Sequence, residues 1–475
     1  MKTIKKLSML LLATLVLWSC SNDDDGATPI NQPPATLNIV ETAQATADLS
    51  ILVEAVIQAN LTTTLSGTGP YTVLAPTNAA FQEFLDSNPA WNSLADIDNA
   101  TLTQVLLNHV ISGTVTSTAL ISAGSGYTST LADGAGGQNL SIYYNTTAGV
   151  KFNDLATVTT ADVAASNGIV HIVDKVITLP SIVDHAIANP ELTSLVAAVT
   201  RADQTAVLAA LTGATAADPL TVLAPVNAAF TTFLDGTPLV DVPAADLTQL
   251  LLNHTMNGFV DSTTLTTAGE GYANTNAAGA GGNDMSIYYN TSSGVTFNGV
   301  STVAIADIVG TNGIVHAVDA VVDLPTIATF ATANPALSSL VAALQLADTG
   351  TPTVPYITTV SDATAGPFTV FAPTNDAFAA LLLELDPTGS TELGDVAPAT
   401  VDGILTYHIV SANVQSSMLV SGPVTTLGGD ITADATAFTL TDPNNRVSNI
   451  ITTLVDIQAT NGVVHAIDTV LLPLQ

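Results

Sequence analysis

Histidine is the residue whose spacing in this chain most directly suggests chemistry, because it titrates near neutral pH and serves as a base or a metal ligand. Six of the seven histidines occupy two positions that recur three times. The first position holds His109, His254 and His408, and the second holds His171, His316 and His465. An aspartate follows the second position three residues later, as Asp174 follows His171, but such side chains point to opposite faces of a strand. The sequence therefore predicts no catalytic pair within that strand.

Other motifs of catalysis or metal binding do not occur in the sequence. No serine lies in a G-x-S-x-G elbow, and neither H-E-x-x-H nor Cys/His metal spacing is present. The glycine-rich segments 134–137 and 279–282 lack the lysine and the strand-to-helix context of a phosphate cradle, which favours plain loops. Asp133, Glu270 and Asp284 lie near these loops, but their spacing matches no calcium loop. We therefore predict a non-enzymatic protein with no cofactor and no metal.

An amphipathic helix must position the first histidine. Leu102, Val105, Leu106 and His109 lie at i, i+3, i+4 and i+7, and both other copies keep this spacing. A histidine that continues an apolar stripe points to the core. We predict core histidines that are hydrogen-bonded to the backbone at both recurring positions, with a shared ligand site as the alternative.

The motif T-V-[LF]-A-P-x-N-x-A-F also occurs three times, at 72–81, 221–230 and 369–378. It predicts a strand that a proline ends, followed by a helix that Thr77 or Asn78 caps. The corresponding prolines and asparagines are Pro76, Asn78, Pro225, Asn227, Pro373 and Asn375. Roughly ninety residues after each copy comes N-G-[IV]-V-H-x-[IV]-D, a turn and a closing strand. The motif is therefore explained by folding alone.

Two further elements are predicted in each copy. An apolar stripe at Leu49, Leu52, Val53 and Val56 predicts a helix that opens the unit, with equivalents starting at 192 and 337. Segments 141–145 and 150–153 predict a hairpin, repeated within 286–298, and in the third copy at 439–449 with its turn at 442–445.

The paired motifs, with the histidine helix between them, resemble the fasciclin domain. The resemblance covers residues 37–475 and implies an α+β fold of three tandem units, each a wedge-like β-sandwich flanked by helices. We place the domains at 37–180, 181–325 and 326–475. The family further implies extracellular adhesion, and in its animal members a Tyr-His pair is linked with integrin binding. Only Tyr407 and His408 match that pair here, and are the candidate interaction residues.

The N-terminus predicts export and lipidation. A basic start and an apolar run at 7–18 indicate a signal peptide at 1–20, and Leu17-Trp18-Ser19-Cys20 resembles a bacterial lipoprotein box. Cys20 is the only cysteine, so we predict that it is the lipid attachment site; an ordinary signal peptide is the alternative. Residues 21–36 predict a flexible acidic tether, resembling the export signal of surface lipoproteins in Bacteroidetes-type bacteria, or else a solvated spacer.

The net charge of the chain limits which binding partners are compatible with it. The formal net charge is −33, which repels the phosphates of nucleic acid and of anionic lipids, while neutral glycans or cations remain compatible. We predict an adhesion or interaction protein that a lipid anchors to the outer membrane, exposed at the cell surface, with a surface protein or polysaccharide as its ligand. The alternative is a glycan- or polymer-binding component of an outer-membrane uptake or biofilm system.

Overall fold

The structure, a computed structural model, describes residues 36–474. The predicted signal peptide with Cys20, and residues 21–35 of the predicted tether, lie outside the described residues. The described chain forms three consecutive units of mixed helices and strands, which confirms the α+β class. Within this part of the chain no single helix is long and apolar enough to cross a membrane; the successive helices Ile327–Ala333 and Pro335–Asp348 pass that test only as a pair, bent by 102°.

The first unit is a closed barrel of seven strands with helices before and between them. Its helices are α1 (Ile39–Gln44), α2 (Ser50–Gln58), α3 (Thr62–Leu65), α4 (Asn78–Asp86), α5 (Asn99–Leu107) and α6 (Ser117–Ala123). Its strands are β1 (Tyr71–Pro76), β2 (Val110–Ser112), β3 (Ser125–Asp133), β4 (Asn139–Asn145), β5 (Lys151–Phe152), β6 (Ala156–Ala165) and β7 (Gly168–Val173). The sandwich closes at its edge because Ile111 of β2 pairs with Thr130 of β3.

The second unit repeats these elements. Its helices are α7 (Ile182–Ala188), α8 (Thr193–Val199), α9 (Thr205–Gly213), α10 (Asn227–Leu234), α11 (Ala244–Leu252) and α12 (Ser262–Ala268). Its strands are β8 (Leu220–Pro225), β9 (Thr255–Asn257), β10 (Glu270–Ala278), β11 (Asp284–Asn290), β12 (Thr296–Phe297), β13 (Ser301–Gly310) and β14 (Gly313–Val318). They form one seven-stranded sheet in the order β10-β11-β12-β13-β14-β8-β9.

The third unit divides its strands between two four-stranded sheets. Its helices are α13 (Ile327–Ala333), α14 (Ser338–Asp348), α15 (Tyr356–Ser361), α16 (Asn375–Leu385) and α17 (Pro398–Leu405). Its strands are β15 (Phe368–Pro373), β16 (Ile409–Val410), β17 (Gly422–Thr425), β18 (Asp430–Asp434), β19 (Thr439–Thr441), β20 (Val447–Asn449), β21 (Ile457–Ala459) and β22 (Gly462–Ile467). The sheet orders are β16-β15-β22-β21 and β17-β18-β19-β20.

The two recurring motifs lie side by side. Strand β1 runs parallel to β7, with Leu74 opposite His171 and Pro76 opposite Val173. The other units keep the same register, with Pro225 opposite Val318 and Pro373 opposite Ile467. Proline has no N–H for the ladder, so the pairing ends where the chain turns into the next helix.

This central strand separates two apolar cores in each unit. Val73 and Ala75 face the core under the helices, whereas Leu74 faces the core inside the sheets with Ile142 and Phe152. The alternation follows from the two-residue period of a strand. Because both faces are buried, the strand is apolar at successive positions, with flanking threonines at its start.

The predicted hairpins are confirmed. Strands β4 and β5 pair antiparallel, as do β11 and β12. In the third unit β19 pairs with β20 across the turn that holds Asp442, whose Oδ1 accepts hydrogen bonds from the N–H groups of Asn444 and Arg446.

The predicted stripe helices are α2, α8 and α14, but each follows another helix that the sequence analysis missed. These earlier helices, α1, α7 and α13, have only six or seven residues. The first N–H of each donates to the asparagine of the distant N-G turn: Ile39 to Asn167 Oδ1 at 2.9 Å, Ile182 to Asn312 Oδ1 at 3.0 Å and Ile327 to Asn461 Oδ1 at 2.9 Å. A tertiary contact thus stabilises a helix too short to stand on its own propensity.

The motif asparagine does not cap its own helix, which corrects half of the capping prediction. Thr77 caps α4, because its Oγ1 accepts a hydrogen bond from Ala80 N at 3.2 Å. Asn78 instead reaches the start of α2, where its Oδ1 accepts from Ile51 N at 2.9 Å. Asn227 and Asn375 make the equivalent bonds to Ser194 N and Ser339 N, each at 2.8 Å. The asparagine therefore ties two helices together.

Successive units meet through one repeated set of contacts. At the first junction, Asn189 Nδ2 donates to the Tyr127 hydroxyl at 3.3 Å and Val309 N donates to Ser141 Oγ at 2.9 Å. At the second junction, Asn334 Nδ2 donates to the Tyr272 hydroxyl at 3.1 Å and Gln458 N donates to Ser286 Oγ at 2.9 Å. Strands β3 and β4 of the first unit therefore contact the end of helix α7 and strand β13 of the second unit. Strands β10 and β11 contact the end of helix α13 and strand β21 of the third unit in the same way.

Gly136→Ala should loosen the first junction. A Cβ there would lie 2.4 Å from the Phe259 ring of the next unit, so the ring must leave its place at the junction or the two units must move apart. Gly137→Ala is the matched control, since its φ is also positive, at 71° against 66°, while its Cβ meets nothing within 4 Å. We expect small-angle scattering to show a broader distribution of interdomain distances for Gly136→Ala only. Equal profiles for the two variants would show that Phe259 does not hold the junction.

Candidate functional site

The first recurring histidine lies just after a helix and holds the end of the domain. His109 is 1% exposed; its Nδ1 lies 2.7 Å from Val105 O, and its Nε2 lies 2.9 Å from Ile177 N. His254 meets Leu250 O and Val322 N at 2.8 and 2.9 Å, and His408 meets Ile404 O and Leu471 N, both at 3.0 Å. In all three units the imidazole joins the preceding helix to the segment after the last strand.

These contacts define one protonation state. A backbone N–H only donates, so Nε2 must be the acceptor and Nδ1 must carry the proton that is donated to the helix carbonyl. Burial disfavours the charged imidazolium and lowers the pKa of His109, His254 and His408 to about 4. Each ring is therefore neutral at physiological pH.

The second recurring histidine is the opposite tautomer. His171 Nδ1 accepts a hydrogen bond from Asp162 N at 3.2 Å, and its Nε2 donates to Val115 O at 2.9 Å. His316 and His465 make the same pair of bonds, to Asp307 N with Val260 O and to Asp456 N with Val414 O. Each of these rings holds a bulged strand against the loop before the next helix.

The aspartate at this bulge was missed by the sequence analysis. Asp162, Asp307 and Asp456 all have positive φ, between 56° and 60°. The Asp162 carboxylate accepts from Ser117 N at 2.9 Å, and Ser117 Oγ also donates to it. The signal was present in sequence, because each aspartate lies nine residues before the histidine, but only the fold brings the serine to it.

The hydrogen bonds of this Ser, Asp and His group fix the backbone around it. The serine hydroxyl donates to the carboxylate, and both histidine nitrogens are occupied by backbone groups. The histidine has no nitrogen left to take a proton from the serine, as a nucleophilic site requires. The group anchors the loop that leads into α6.

The candidate interaction pair lies mostly inside the third unit. His408 is 1% exposed and bonded through both nitrogens. The Tyr407 ring covers Gly428 and Gly429, where an added Cβ would come within 2.4 and 2.7 Å of it. Part of Tyr407 remains exposed, so interaction through this pair stays a prediction that rests on the tyrosine.

An asparagine takes the place of Tyr407 in the first two units. Asn108 Nδ2 donates to Ile177 O and Thr178 O at 3.3 and 3.1 Å, and Asn253 Nδ2 donates to Val322 O and Asp323 O, both at 3.1 Å. Both asparagines are fully buried. In the first two units the asparagine therefore bonds to the segment after the last strand. In the third unit the tyrosine instead packs over a glycine turn.

The seventh histidine lies at the first junction. His185 is fully buried beside the Tyr127 ring, with centroids 5.7 Å apart, and its Nε2 meets Val309 O at 3.0 Å. Its Nδ1 has no hydrogen-bond partner in the structure, and burial lowers the pKa of the ring to about 4. Phe330 holds the equivalent position at the second junction, against Tyr272.

The carboxylates near the glycine loops do not converge. The side chain of Asp133 accepts from Gln104 Nε2 at 2.9 Å, whereas Glu270 accepts from the Tyr288 hydroxyl at 2.8 Å. Across residues 36–474, no group of three or more His, Cys, Asp or Glu side chains is placed to hold a metal ion.

Comparison with known families identifies the three units. The family model for the fasciclin domain matches residues 47–180, 190–325 and 335–473. Protein sll1483 of a Synechocystis strain is 37% identical over 179 residues, which cover 37% of this chain and 89% of that protein.

Two further relatives have descriptive names. The pig transforming growth factor-beta-induced protein ig-h3 is 30% identical over 452 residues; the match covers 92% of this chain but 58% of the pig protein. The cell surface glycolipoprotein MPB83 of Mycobacterium bovis is 31% identical over 147 residues, or 31% of this chain and 60% of that protein. A solved fasciclin domain pair from the insect cell adhesion molecule fasciclin I matches 57% of this chain and 92% of its own at 18% identity and a TM-score of 0.32.

His254→Ala should destabilise the second unit by about 1 to 3 kcal/mol, because it removes packing and leaves Val322 N without an acceptor. Chemical denaturation followed by circular dichroism measures the change. Asn257→Ala, at an exposed position on the strand that follows, is the control and should have little effect. An unchanged unfolding midpoint for His254→Ala would contradict the bridging role of the ring.

Stability should fall as the pH decreases from about 6.5 to about 4. The four histidines with a native pKa of about 4 have an ordinary value of 6.5, so in this range the unfolded chain binds protons that the native chain does not. The loss reaches roughly 3 kcal/mol per histidine at its acid end. Urea unfolding at pH 7, 5.5 and 4.5 measures it.

His185→Phe is the matched variant for this experiment, because Phe330 occupies the same place in the third unit. It should reduce the pH dependence of the unfolding free energy for the transition in which the first junction is lost. Equal unfolding free energies at pH 7 and 4.5 in the unmodified protein would show that the histidines are not held neutral.

Proposed function

Because the chain belongs to the fasciclin domain family, we propose that it is a non-enzymatic cell-surface protein that presents three fasciclin domains for adhesion from a lipid anchor. Fasciclin domains are modules of adhesion and extracellular interaction in homologous proteins. The observation that carries the proposal is the threefold match, which spans nearly the whole described chain. One mycobacterial relative is named as a cell surface glycolipoprotein, which supports a lipid-linked location.

The bonding of the histidines supports a role without catalysis. All six recurring rings are bonded through both nitrogens to backbone groups, so the side chains best suited to proton transfer are committed to folding. The same pattern holds in the second and third units. We therefore place the interactions of this protein on its surface, at the loops and at the junctions between domains.

The lipid anchor is proposed from Cys20 and its neighbours. A single cysteine after Leu17-Trp18-Ser19 fits thioether lipidation, and multiple acyl chains give stable attachment to the outer membrane. The net charge of −33 disfavours nucleic acid as a partner and favours an uncharged polymer or a surface protein.

Cys20→Ala should abolish acyl labelling and release the protein from the membrane fraction. Metabolic labelling with a radioactive fatty acid, followed by fractionation, measures both effects. Ser21→Ala, next to the cysteine, is the control and should keep the label. Unlabelled unmodified protein in the culture medium would overturn the lipoprotein assignment.

The surface location has its own readout in the same cells. External protease should digest the domains of the unmodified protein while the cells stay intact. Full protection until the outer membrane is opened would place the protein on the periplasmic face.

A further inference from the structure

A polar cavity of about 450 Å³ lies between the first and second fasciclin domains. This volume is within the range of roughly 300 to 1,000 Å³ that is typical of small-molecule sites. The polar side chains that line it come from both domains: Ser129, Gln138, Asn139, Asp261, Thr263 and Asp307. Val309 and Ile314 lie behind this polar lining, at 5% and 0% exposure.

The two sides of the cavity are held in place. Val309 N donates to Ser141 Oγ across the junction, and Gly136 lies directly against the Phe259 ring. A ligand would therefore meet two walls whose backbones are already positioned, which lowers the entropy lost on binding.

The two carboxylates are also fixed. Asp261 caps helix α12, where its Oδ1 accepts from Thr264 N at 2.8 Å, and the hydrogen bonds from Thr264 hold its pKa below the usual range. Asp307 accepts from Ser262 N at 2.8 Å. Both side chains accept hydrogen bonds and keep further lone pairs for a ligand.

The remaining polar groups provide donors. The side chains of Ser129, Gln138, Asn139 and Thr263 make no hydrogen bond to any other described residue. Hydroxyl and amide groups both donate and accept. The cavity thus offers both donors and acceptors of hydrogen bonds.

We propose that this cavity binds a neutral sugar ring. Sugar hydroxyls donate to the two carboxylates and accept from the amide and hydroxyl groups of the lining. The proposal deepens the proposed surface function and rests on it, because it assigns that function a glycan ligand at a named site.

Two other ligand classes fit the lining less well. A divalent cation would need more convergent ligands than two aspartates, and the described residues place no group of three. An ammonium group would use the acceptors but leave the amide and hydroxyl donors without a role. A neutral sugar engages both.

The second junction has different side chains at the same places. Gln458 replaces Val309, Gln415 replaces Asp261 and Asn413 replaces Phe259. Asn413 Nδ2 donates to Ala280 O of the preceding domain at 2.9 Å and to Gln458 Oε1 at 3.2 Å, and Gln415 Nε2 donates to Gln458 Oε1 as well. Here the amides of the third domain satisfy one another, and one of them also bonds to the second domain, so we assign the sugar site to the first junction alone.

The test uses the full chain in detergent and four probes: the methyl glycosides of glucose, galactose, mannose and N-acetylglucosamine. Saturation-transfer NMR detects binding, and a titration gives the dissociation constant. Gln138→Ala/Asn139→Ala should weaken binding of at least one probe about tenfold or more, since it removes two hydrogen-bonding side chains. Asn283→Ala/Asp284→Ala, the equivalent pair at the second junction, should stay within about twofold of the unmodified protein.

Three results would overturn the site: no probe bound by the unmodified protein, equal weakening by both double variants, or binding of butylammonium or Ca²⁺ at these residues in preference to every sugar. Gln138, Asn139 and Asp284 are exposed and Asn283 is half-buried, and circular dichroism checks that the variants fold. A failure here leaves acyl labelling and protease accessibility unaffected, so it is distinguishable from a failure of the proposed surface function.

Discussion

A neutral imidazole between a helix and the closing segment is the constraint on which each domain depends. The last turn of α5 leaves the Val105 carbonyl free, and the segment after β7 brings the buried N–H of Ile177 to the other side of the His109 ring. Only a side chain that donates at one end and accepts at the other can satisfy both. Histidine does so while neutral, and burial keeps it neutral. The histidine thereby attaches the end of the domain to its middle, two segments that are far apart along the chain.

The second histidine uses the same logic for a different part of the sheet. It accepts from the N–H of an aspartate in the left-handed region and donates to a loop carbonyl. The two tautomers are thus assigned by which backbone group each nitrogen meets. Histidine therefore recurs at these positions because one ring nitrogen donates and the other accepts, rather than because the ring can gain and lose a proton.

The third domain shows what the framework tolerates. It keeps both histidines and the central parallel pair, but splits its strands into two sheets and replaces the asparagine clamp with Tyr407. The junctions vary in the same way. Their backbone contacts repeat, while the side chains around them differ, with Val309 at one junction and Gln458 at the other. Variation in the side chains at a junction is therefore compatible with a fixed arrangement of the backbone.

The sequence by itself determined the α+β class, the three copies, the stripe helices, the hairpins and the burial of the histidines. Each of these follows from local periodicity, turn residues or repetition, which a chain carries along its own length. Tertiary structure alone decided the short helices that Asn167 and its equivalents hold, the helix that Asn78 caps, and the aspartate partner of His171. It also decided the cavity at the first junction. Those features depend on groups up to 168 residues apart, such as Val309 N and Ser141 Oγ, and no local pattern encodes which distant group will satisfy a buried N–H.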